Sequence, residues 1–223
     1  MAEEADEAAL MALIVAMQAA DKMSEALYSN EAPGVSGEDE ETNLHAFAYD
    51  WTHNKENSKV AERVTPEFLN KVVEISGRLG VAPDDLMAIM AFESWLNPAS
   101  DNGKGYVGLI QFGSVEAGEI GTTQQALVAM STVEQMEYVE KYYIMKAKYA
   151  GTQIKTLSDL YMATLWPSAV GKPEDYVLWI KDSEATGGRY KANAGLDIGK
   201  DGKITKGEAV RKVTDRRDSF DKR

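Results

Sequence analysis

The sequence predicts a mainly α fold with at most a small β-hairpin, preceded by an N-terminal helix and followed by a C-terminal loop. Apolar residues recur at the three- and four-residue spacing of amphipathic helices in several stretches of the 223-residue chain. Capping residues bound these stretches. No run of alternating apolar and polar residues is long enough for a strand of a central sheet. The core is therefore expected to lie between helices.

Composition places the chain among ordinary globular proteins, because 44% of its residues are hydrophobic. The absence of Cys excludes a disulfide framework, thiolate chemistry and Cys-based zinc sites. A formal net charge of −12 argues against nonspecific nucleic-acid binding, since most of the surface repels phosphates. Stability is expected to come from packing.

The first quarter of the chain divides into a helix and a linker. Apolar residues at helical spacing predict an amphipathic helix in residues 1–30, suited to docking a partner or to self-association. Residues 31–62 contain Pro, Gly and an acidic run, and are predicted to be a linker. The two histidines, His45 and His53, are expected to have structural or surface roles without zinc.

The main domain is predicted to cover residues 63–190. Thr65 is a suitable N-cap for a first helix, Pro66 suits its first position, and Gly80 ends it. A second helix, from Pro83 to Glu93, is apolar on most of its circumference and is expected to be buried at the centre. Later helices are predicted at about 123–149 and 158–165.

Glu93 is the strongest candidate for catalysis, because it ends this apolar helix ahead of a glycine-bearing turn. Apolar neighbours such as Phe92, Trp95 and Leu96 disfavour the charged carboxylate, so Glu93 is expected to stay protonated near neutral pH. A protonated Glu can donate its proton to a glycosidic oxygen. The alternative is an ordinary surface acid near a helix end.

The motifs around Glu93 resemble the signature of the lytic transglycosylase and goose-type lysozyme superfamily. They are Glu-Ser with an aromatic residue and Asn-Pro in residues 91–98, and Gly-Leu-Ile-Gln in residues 108–111. Residues 130–139 and 160–169 resemble segments of bacteriophage members. The resemblance spans about residues 65–173 and implies a lysozyme-like α domain in which Glu93 is the single catalytic acid.

The resemblance also implies a substrate and a set of binding residues. The substrate is peptidoglycan, cut at the β-1,4 bond between MurNAc and GlcNAc without a cofactor. The nucleophile is the sugar's own 6-hydroxyl in a transglycosylase and water in a lysozyme, and this choice stays open. The implied substrate-binding residues, the aromatic ones having core packing as an alternative, are Ser94, Tyr106, Gly108, Gln111, Phe112, Tyr161 and Trp166.

One segment departs from the family pattern, and the second carboxylate of a lysozyme has only one nearby candidate. Cellular members carry Ala-Tyr-Asn where this chain has Leu165-Trp166-Pro167, so Trp166 or Tyr161 is expected to replace the family tyrosine. Asp101 is the nearest candidate for the second carboxylate of a lysozyme, although its glycine-rich surroundings favour a turn-forming role.

Residues 197–208 fit the twelve-residue calcium loop at six positions and begin the predicted C-terminal segment, 191–223. The pattern resembles an EF-hand or dockerin-like loop. Gly199 replaces the usual third ligand, so either a structural Ca²⁺ site or a degenerate loop without metal remains open. The candidate ligands are Asp197, Asp201, the Lys203 carbonyl, Thr205 and Glu208.

No convincing secretory signal or membrane span is expected, because acids precede the short apolar run of residues 10–17. The predicted location is a virus particle, where the N-terminal helix docks other virion proteins; the alternative is the host cytoplasm until lysis. The rival function is a catalytically inactive, peptidoglycan-binding virion component. The basic tail from residue 211 is either a solvated helix or an anchor for an acidic surface.

Overall fold

The computed structural model describes Trp51, Val60 and residues 62–220. In this part of the chain the fold is mainly α, which confirms the predicted fold class. The predictions for the N-terminal helix, for His45 and His53 and for most of the linker lie outside the described residues; within the predicted linker, Trp51 and Val60 are described and both are buried. The α-helices are α1 (Pro66–Leu79), α2 (Pro83–Ser94), α3 (Ser114–Glu119), α4 (Gln124–Val128), α5 (Thr132–Ala150), α6 (Leu157–Leu165), α7 (Gly187–Ala192) and α8 (Lys206–Asp218).

Two antiparallel strand pairs accompany the described helices. The first is a short hairpin of β1 (Tyr106–Val107) and β2 (Phe112–Gly113). The second pairs β3 (Val177–Ile180) with β4 (Lys203–Thr205), and sequence patterning did not predict it. Its strands are three and four residues long and far apart in sequence, so neither carries a visible alternation. Single turns of 3₁₀-helix occupy Pro167–Ala169 and Ala194–Leu196.

Helices α1 and α2 begin and end close to the predicted residues. The Thr65 side chain accepts a hydrogen bond from the N–H of Phe68, Pro66 occupies the first turn, and Gly80 adopts a left-handed conformation with φ 71°. Helix α2 is buried around most of its circumference, from Asp85 to Ala91. It packs against α1, α6 and α8, and is therefore the central helix of the domain.

The prediction of one helix over residues 123–149 was wrong, because two helices occupy this stretch. Helix α4 ends at Val128, and α5 starts after Ser131. The Ser131 side chain and Glu134 form a reciprocal capping box, which begins a new helix. Helix α6 runs from Leu157 to Leu165, close to the predicted span.

Helix α8 belongs to the same packed body as the central helix. It packs on both α2 and α6, and Val210 and Val213 are buried there. Arg217 forms an ion pair with Asp85 near the start of α2, at 2.8 Å. The predicted division at residue 190 therefore corresponds to no break in packing. None of the described helices is long and apolar enough to cross a membrane.

Candidate active site

Glu93 lies in the last turn of α2 and is only partly exposed. Burial raises the pKa of its carboxyl group from 4.5 to about 7. The carboxyl group makes no hydrogen bond or ion pair with any residue in the described part of the chain. A carboxyl group with this pKa keeps its proton in about half of the molecules at pH 7, so burial favours the acid form as the sequence predicted.

Tyrosine rings surround this carboxyl group. The rings of Phe92 and Tyr161 meet edge to face, with centroids 5.6 Å apart. Burial, and then the charge of Glu93, raise the pKa of Tyr161. The same two causes raise the pKa of Tyr143 and contribute to the raised pKa of Tyr142, so these phenols stay neutral hydrogen-bond donors beside Glu93.

The turn after Glu93 is fixed by its neighbour Ser94. The Ser94 hydroxyl is buried and lies 3.0 Å from the Met90 carbonyl and 2.9 Å from the Leu109 carbonyl, either of which can accept its proton. Trp95 and Leu96 then adopt left-handed conformations, each with φ 56°. Ser94, a predicted substrate-binding residue, thus has its hydroxyl engaged with the backbone, where it joins the helix end to the hairpin.

The hairpin turn contains the two other polar candidates, Gly108 and Gln111. Gly108 has φ 78°, and a Cβ atom added there would lie 2.7 Å from Oε1 of Gln135. The close approach that requires glycine is therefore to a protein side chain rather than to a ligand. Gln111 is partly exposed, and its amide nitrogen donates to the Gly108 carbonyl at 3.1 Å.

The aromatic candidates differ in exposure. Tyr106 is 48% exposed on β1 and can present a ring face to a sugar. Phe112 is fully buried and packs edge to face against Tyr142, the core packing that was the alternative to a sugar contact.

Tyr161 and Trp166, the candidates to replace the family tyrosine, lie in different surroundings. Tyr161 is 4% exposed, and its ring contacts Phe92 beside Glu93. Trp166 packs edge to face against Trp179 at 5.9 Å, and the Arg189 guanidinium covers its ring at 4.6 Å. The charge of Glu93 contributes to the raised pKa of Tyr161, so Tyr161 is the candidate that interacts electrostatically with this carboxyl group.

Other acids near the hairpin are already engaged. Asp101 is exposed, and its carboxylate accepts from the Gly103 N–H at 2.7 Å, as a turn-forming residue does. Glu116 forms an ion pair with the mostly buried Lys146, at 3.2 Å. Both carboxylates therefore have partners within the protein, unlike the carboxyl group of Glu93 among the described residues.

Two glutamines that the sequence did not single out hold the hairpin. The Gln124 amide nitrogen donates to the Gly105 and Phe112 carbonyls, at 2.7 and 2.8 Å. Gln135 is fully buried and bonds to the backbone on three sides. Glutamine on a helix carries no sequence signal for this role, so only the structure identifies it.

The predicted calcium loop has the expected backbone shape, with Gly202 at φ 81° and Glu208 in the first turn of α8. Hydrogen bonds from the Tyr190 hydroxyl, at 2.5 Å, and from backbone N–H groups lower the pKa of Asp197. Burial opposes ionisation of Glu208, but bonds from the N–H groups of Thr205 and Gly199 outweigh it and lower that pKa.

The fit of this loop to a metal is mixed. Oδ1 of Asp197 is buried and has no hydrogen-bond partner, which suits a hard cation. The Asp201 carboxylate, however, accepts from the Lys203 N–H at 2.9 Å, and Thr205 caps α8 together with Glu208. Within residues 62–220, no group of three or more Asp, Glu, His or Cys side chains is arranged to hold a metal ion.

Comparison with known families decides the class of the domain. Residues 72–165 match the family model of the Transglycosylase SLT domain. The match supports the predicted likeness of this segment to the lytic transglycosylase and lysozyme-like superfamily. The SLT domain therefore confirms the enzyme class predicted from the sequence, a peptidoglycan-cleaving lytic transglycosylase or lysozyme. No curated protein and no solved structure gives a significant match.

The match contains most of the elements described above, from within α1 to the end of α6. Glu93, the hairpin, Gln135 and Tyr161 all fall inside it. The strand pair of β3 and β4, the calcium-like loop and α8 fall outside it.

Proposed function

We propose that Glu93 is the single catalytic acid with which this SLT domain cleaves the β-1,4 bond between MurNAc and GlcNAc in peptidoglycan. The observation that carries the proposal is a buried carboxyl group at a helix end, with no partner among the described residues and with a pKa of about 7. Such a group is protonated in a large fraction of molecules at neutral pH and can lose its proton during the reaction.

The proposed reaction uses Glu93 twice. Glu93 first donates its proton to the glycosidic oxygen, so that the leaving sugar departs as an alcohol. The resulting carboxylate then removes a proton from the nucleophile that attacks the anomeric carbon. The neutral phenol of Tyr161 lies beside Glu93 and is the residue that we expect to replace the family tyrosine.

The nucleophile in this proposal is the 6-hydroxyl group of the muramyl residue, which yields a 1,6-anhydro product. A lysozyme mechanism uses a second carboxylate to hold water. Asp101 and Glu116, the candidates near the hairpin, are engaged in a turn and in an ion pair. Mass spectrometry of released muropeptides tests this choice, because the anhydro product is lighter by one water. Products carrying a reducing end would assign the lysozyme reaction.

Substrate contacts are proposed for the exposed part of the hairpin. Tyr106 offers a ring face to a sugar, and the Gln111 amide offers hydrogen bonds to its hydroxyl or acetamido groups. Replacing Tyr106 by Ala is expected to weaken binding to peptidoglycan more than it slows the bound reaction, because the proposed role of the ring is to stack on a sugar and not to transfer a proton.

The substitution Glu93→Gln tests the catalytic assignment. We expect the clearing rate of purified peptidoglycan to fall by roughly 10²- to 10⁴-fold, the usual contribution of general acid–base catalysis. Glu119→Gln is the matched control, because Glu119 is an exposed acid that bonds to Tyr149 on the surface. Retained clearing by Glu93→Gln would refute the assignment. Binding without clearing by the wild-type protein would instead favour the inactive structural role.

We also propose that the loop from Asp197 to Glu208 takes a structural Ca²⁺. The buried, unpartnered Oδ1 of Asp197 supports this, with the Lys203 carbonyl and Glu208 as further oxygen donors. The catalytic step itself uses no cofactor. A higher melting temperature in millimolar calcium than in chelator is expected, and equal melting temperatures would leave the loop as a metal-free fold.

Delivery by a bacteriophage particle is the remaining proposal, and the N-terminal helix is proposed to dock to other virion proteins. It is supported by the likeness of residues 130–139 and 160–169 to phage sequences. Peptide mass spectrometry of purified particles tests it: peptides in the lysate alone would favour release at lysis from the host cytoplasm.

A further inference from the structure

The side chain of Gln135 joins three backbone segments from a fully buried position on α5. Its amide oxygen accepts from the Leu109 N–H in the hairpin turn, at 2.9 Å. Its amide nitrogen donates to the carbonyls of Pro98, just after α2, and of Leu127 in α4, both at 2.6 Å. One acceptor and both donors of the amide are therefore used.

The chemistry of this position admits few other side chains. A buried carboxylate would face the Pro98 and Leu127 carbonyls without a proton to share between them. An apolar residue would leave the buried Leu109 N–H without a partner, at a cost of about 1–3 kcal/mol, and would also remove one donor from each of the Pro98 and Leu127 carbonyls. Gly108 fits closely against the same amide, since a Cβ atom there would lie 2.7 Å from its oxygen.

Leu109 connects this amide to the catalytic helix. Its N–H donates to Gln135, and its carbonyl accepts from the hydroxyl of Ser94. Ser94 is the residue after Glu93 and is itself buried. A displacement of the Leu109 peptide therefore breaks the bond that holds the last turn of α2 against the hairpin.

We propose that Gln135 is a positioning residue for the reaction: through Leu109 and Ser94 it holds the end of α2 against the hairpin and keeps Glu93 away from water. Gln135 itself contacts no substrate. The proposal rests on the proposed role of Glu93 and names a residue on which that role depends.

A merely stabilising role and a positioning role predict different pH profiles. Burial is what raises the pKa of Glu93 to about 7. If the last turn of α2 opens, water reaches the carboxyl group, and its pKa falls toward the ordinary value near 4.5. The acid form is then lost at lower pH, so the alkaline limb of the activity profile moves to lower pH.

The substitution Gln135→Met tests the proposal, because Met has a similar length and volume and makes none of the three bonds. Gln125→Met is the matched control on the exposed face of α4. We expect the initial clearing rate of purified peptidoglycan at neutral pH to fall by roughly 10- to 100-fold in the Gln135 variant. We also expect its alkaline limb to move by about one pH unit or more. The control is expected to keep both.

Gly108→Ala provides a second route to the same change, because its methyl group displaces the Gln135 amide without removing the amide from the protein. It carries the test if Gln135→Met does not fold. Loss of thermal stability with an unmoved alkaline limb in the folded variants would overturn the proposal. The outcome is separate from the test of Glu93, because Glu93→Gln could be inactive while the limb of the Gln135 variant stays unmoved.

Discussion

Two groups of carboxylic acids in this molecule have opposite surroundings. Glu93 lies among rings at the end of α2 without a hydrogen bond from any described residue, and its pKa is raised to about 7. Asp197 and Glu208, in the calcium-like loop, accept bonds from the Tyr190 hydroxyl and from backbone N–H groups, and their pKa values are lowered.

The difference shows that the surroundings of a carboxyl group decide whether its neutral or its charged form is favoured. Without donors, burial favours the neutral acid, which can give a proton to a substrate. With several donors, the charged form is favoured, which can cap a helix or bind a cation. The number of donors that the fold supplies to a carboxyl group, more than its residue type, therefore predicts its chemistry.

The largest expected effect concerns a buried charge that does have a partner. Lys206 is 2% exposed and forms an ion pair with Asp159 at 2.7 Å, and its Nζ also donates to the Lys172 carbonyl. The substitution Lys206→Met leaves Asp159 buried without that partner, so we expect the free energy of unfolding to fall by about 3–5 kcal/mol. Urea denaturation measures it.

The control for this variant is Arg211→Met, because Arg211 and Asp215 form an exposed pair at 3.9 Å. We expect this control to change stability by less than about 0.5 kcal/mol. Equal losses in the two variants would mean that burial of the Lys206 pair contributes nothing, and would break the contrast between partnered and unpartnered charges.

A smaller effect is expected from Glu93 on stability. The pKa of Glu93 is higher in the folded protein than in the unfolded chain, so folding becomes less favourable as pH rises from about 4.5 to about 7. Glu93→Gln removes this cost, and we expect it to be about 2–3 kcal/mol more stable than wild type at pH 8. Below pH 4 the two proteins are expected to be equally stable.

Thermal unfolding of both proteins across this pH range measures the effect. Activity is expected to follow the titration of Glu93 in the folded protein, and therefore to fall as pH rises above about 7. A stability difference that does not change with pH would show that folding leaves the pKa of Glu93 unchanged, contrary to the proposed contrast with the loop.

The smallest effect is expected at Gly199, the departure from the calcium pattern. Its Cβ position lies 3.2 Å from Oε1 of Glu208, so Gly199→Asp adds a carboxylate beside an existing one. In chelator, repulsion is expected to lower the melting temperature. In calcium, the added ligand is expected to raise the melting temperature above that of wild type. Each tenfold gain in calcium affinity adds about 1.4 kcal/mol of stability. A decrease under both conditions would exclude a cation.

Local signals account for what the sequence predicted correctly. Thr65 and Pro66 begin α1, and Gly80 ends it. The apolar run of α2 identifies the central helix and its terminal acid. The break before α5 also had a visible signal, because residues 131–134 spell a capping box. Applying the capping rule to those residues would have divided the long helix.

Non-local contacts account for what it missed. The burial of Phe112 depends on Tyr142, thirty residues away, and the bond of Ser94 depends on Leu109. Gln135 carries no pattern of its own, since an amide on a helix is usually exposed. Such roles depend on how elements pack, which periodicity and caps do not specify.

The position of α8 has a consequence for how the enzyme can be divided. Two adjacent arginines of this helix reach opposite ends of α2, where Arg217 pairs with Asp85 and Arg216 stacks on Trp95 at 3.8 Å. A fragment limited to the matched residues 72–165 would therefore expose the apolar face of α2 to solvent. We expect such a fragment to self-associate and to be cleaved readily by proteases, even though it contains every proposed catalytic group.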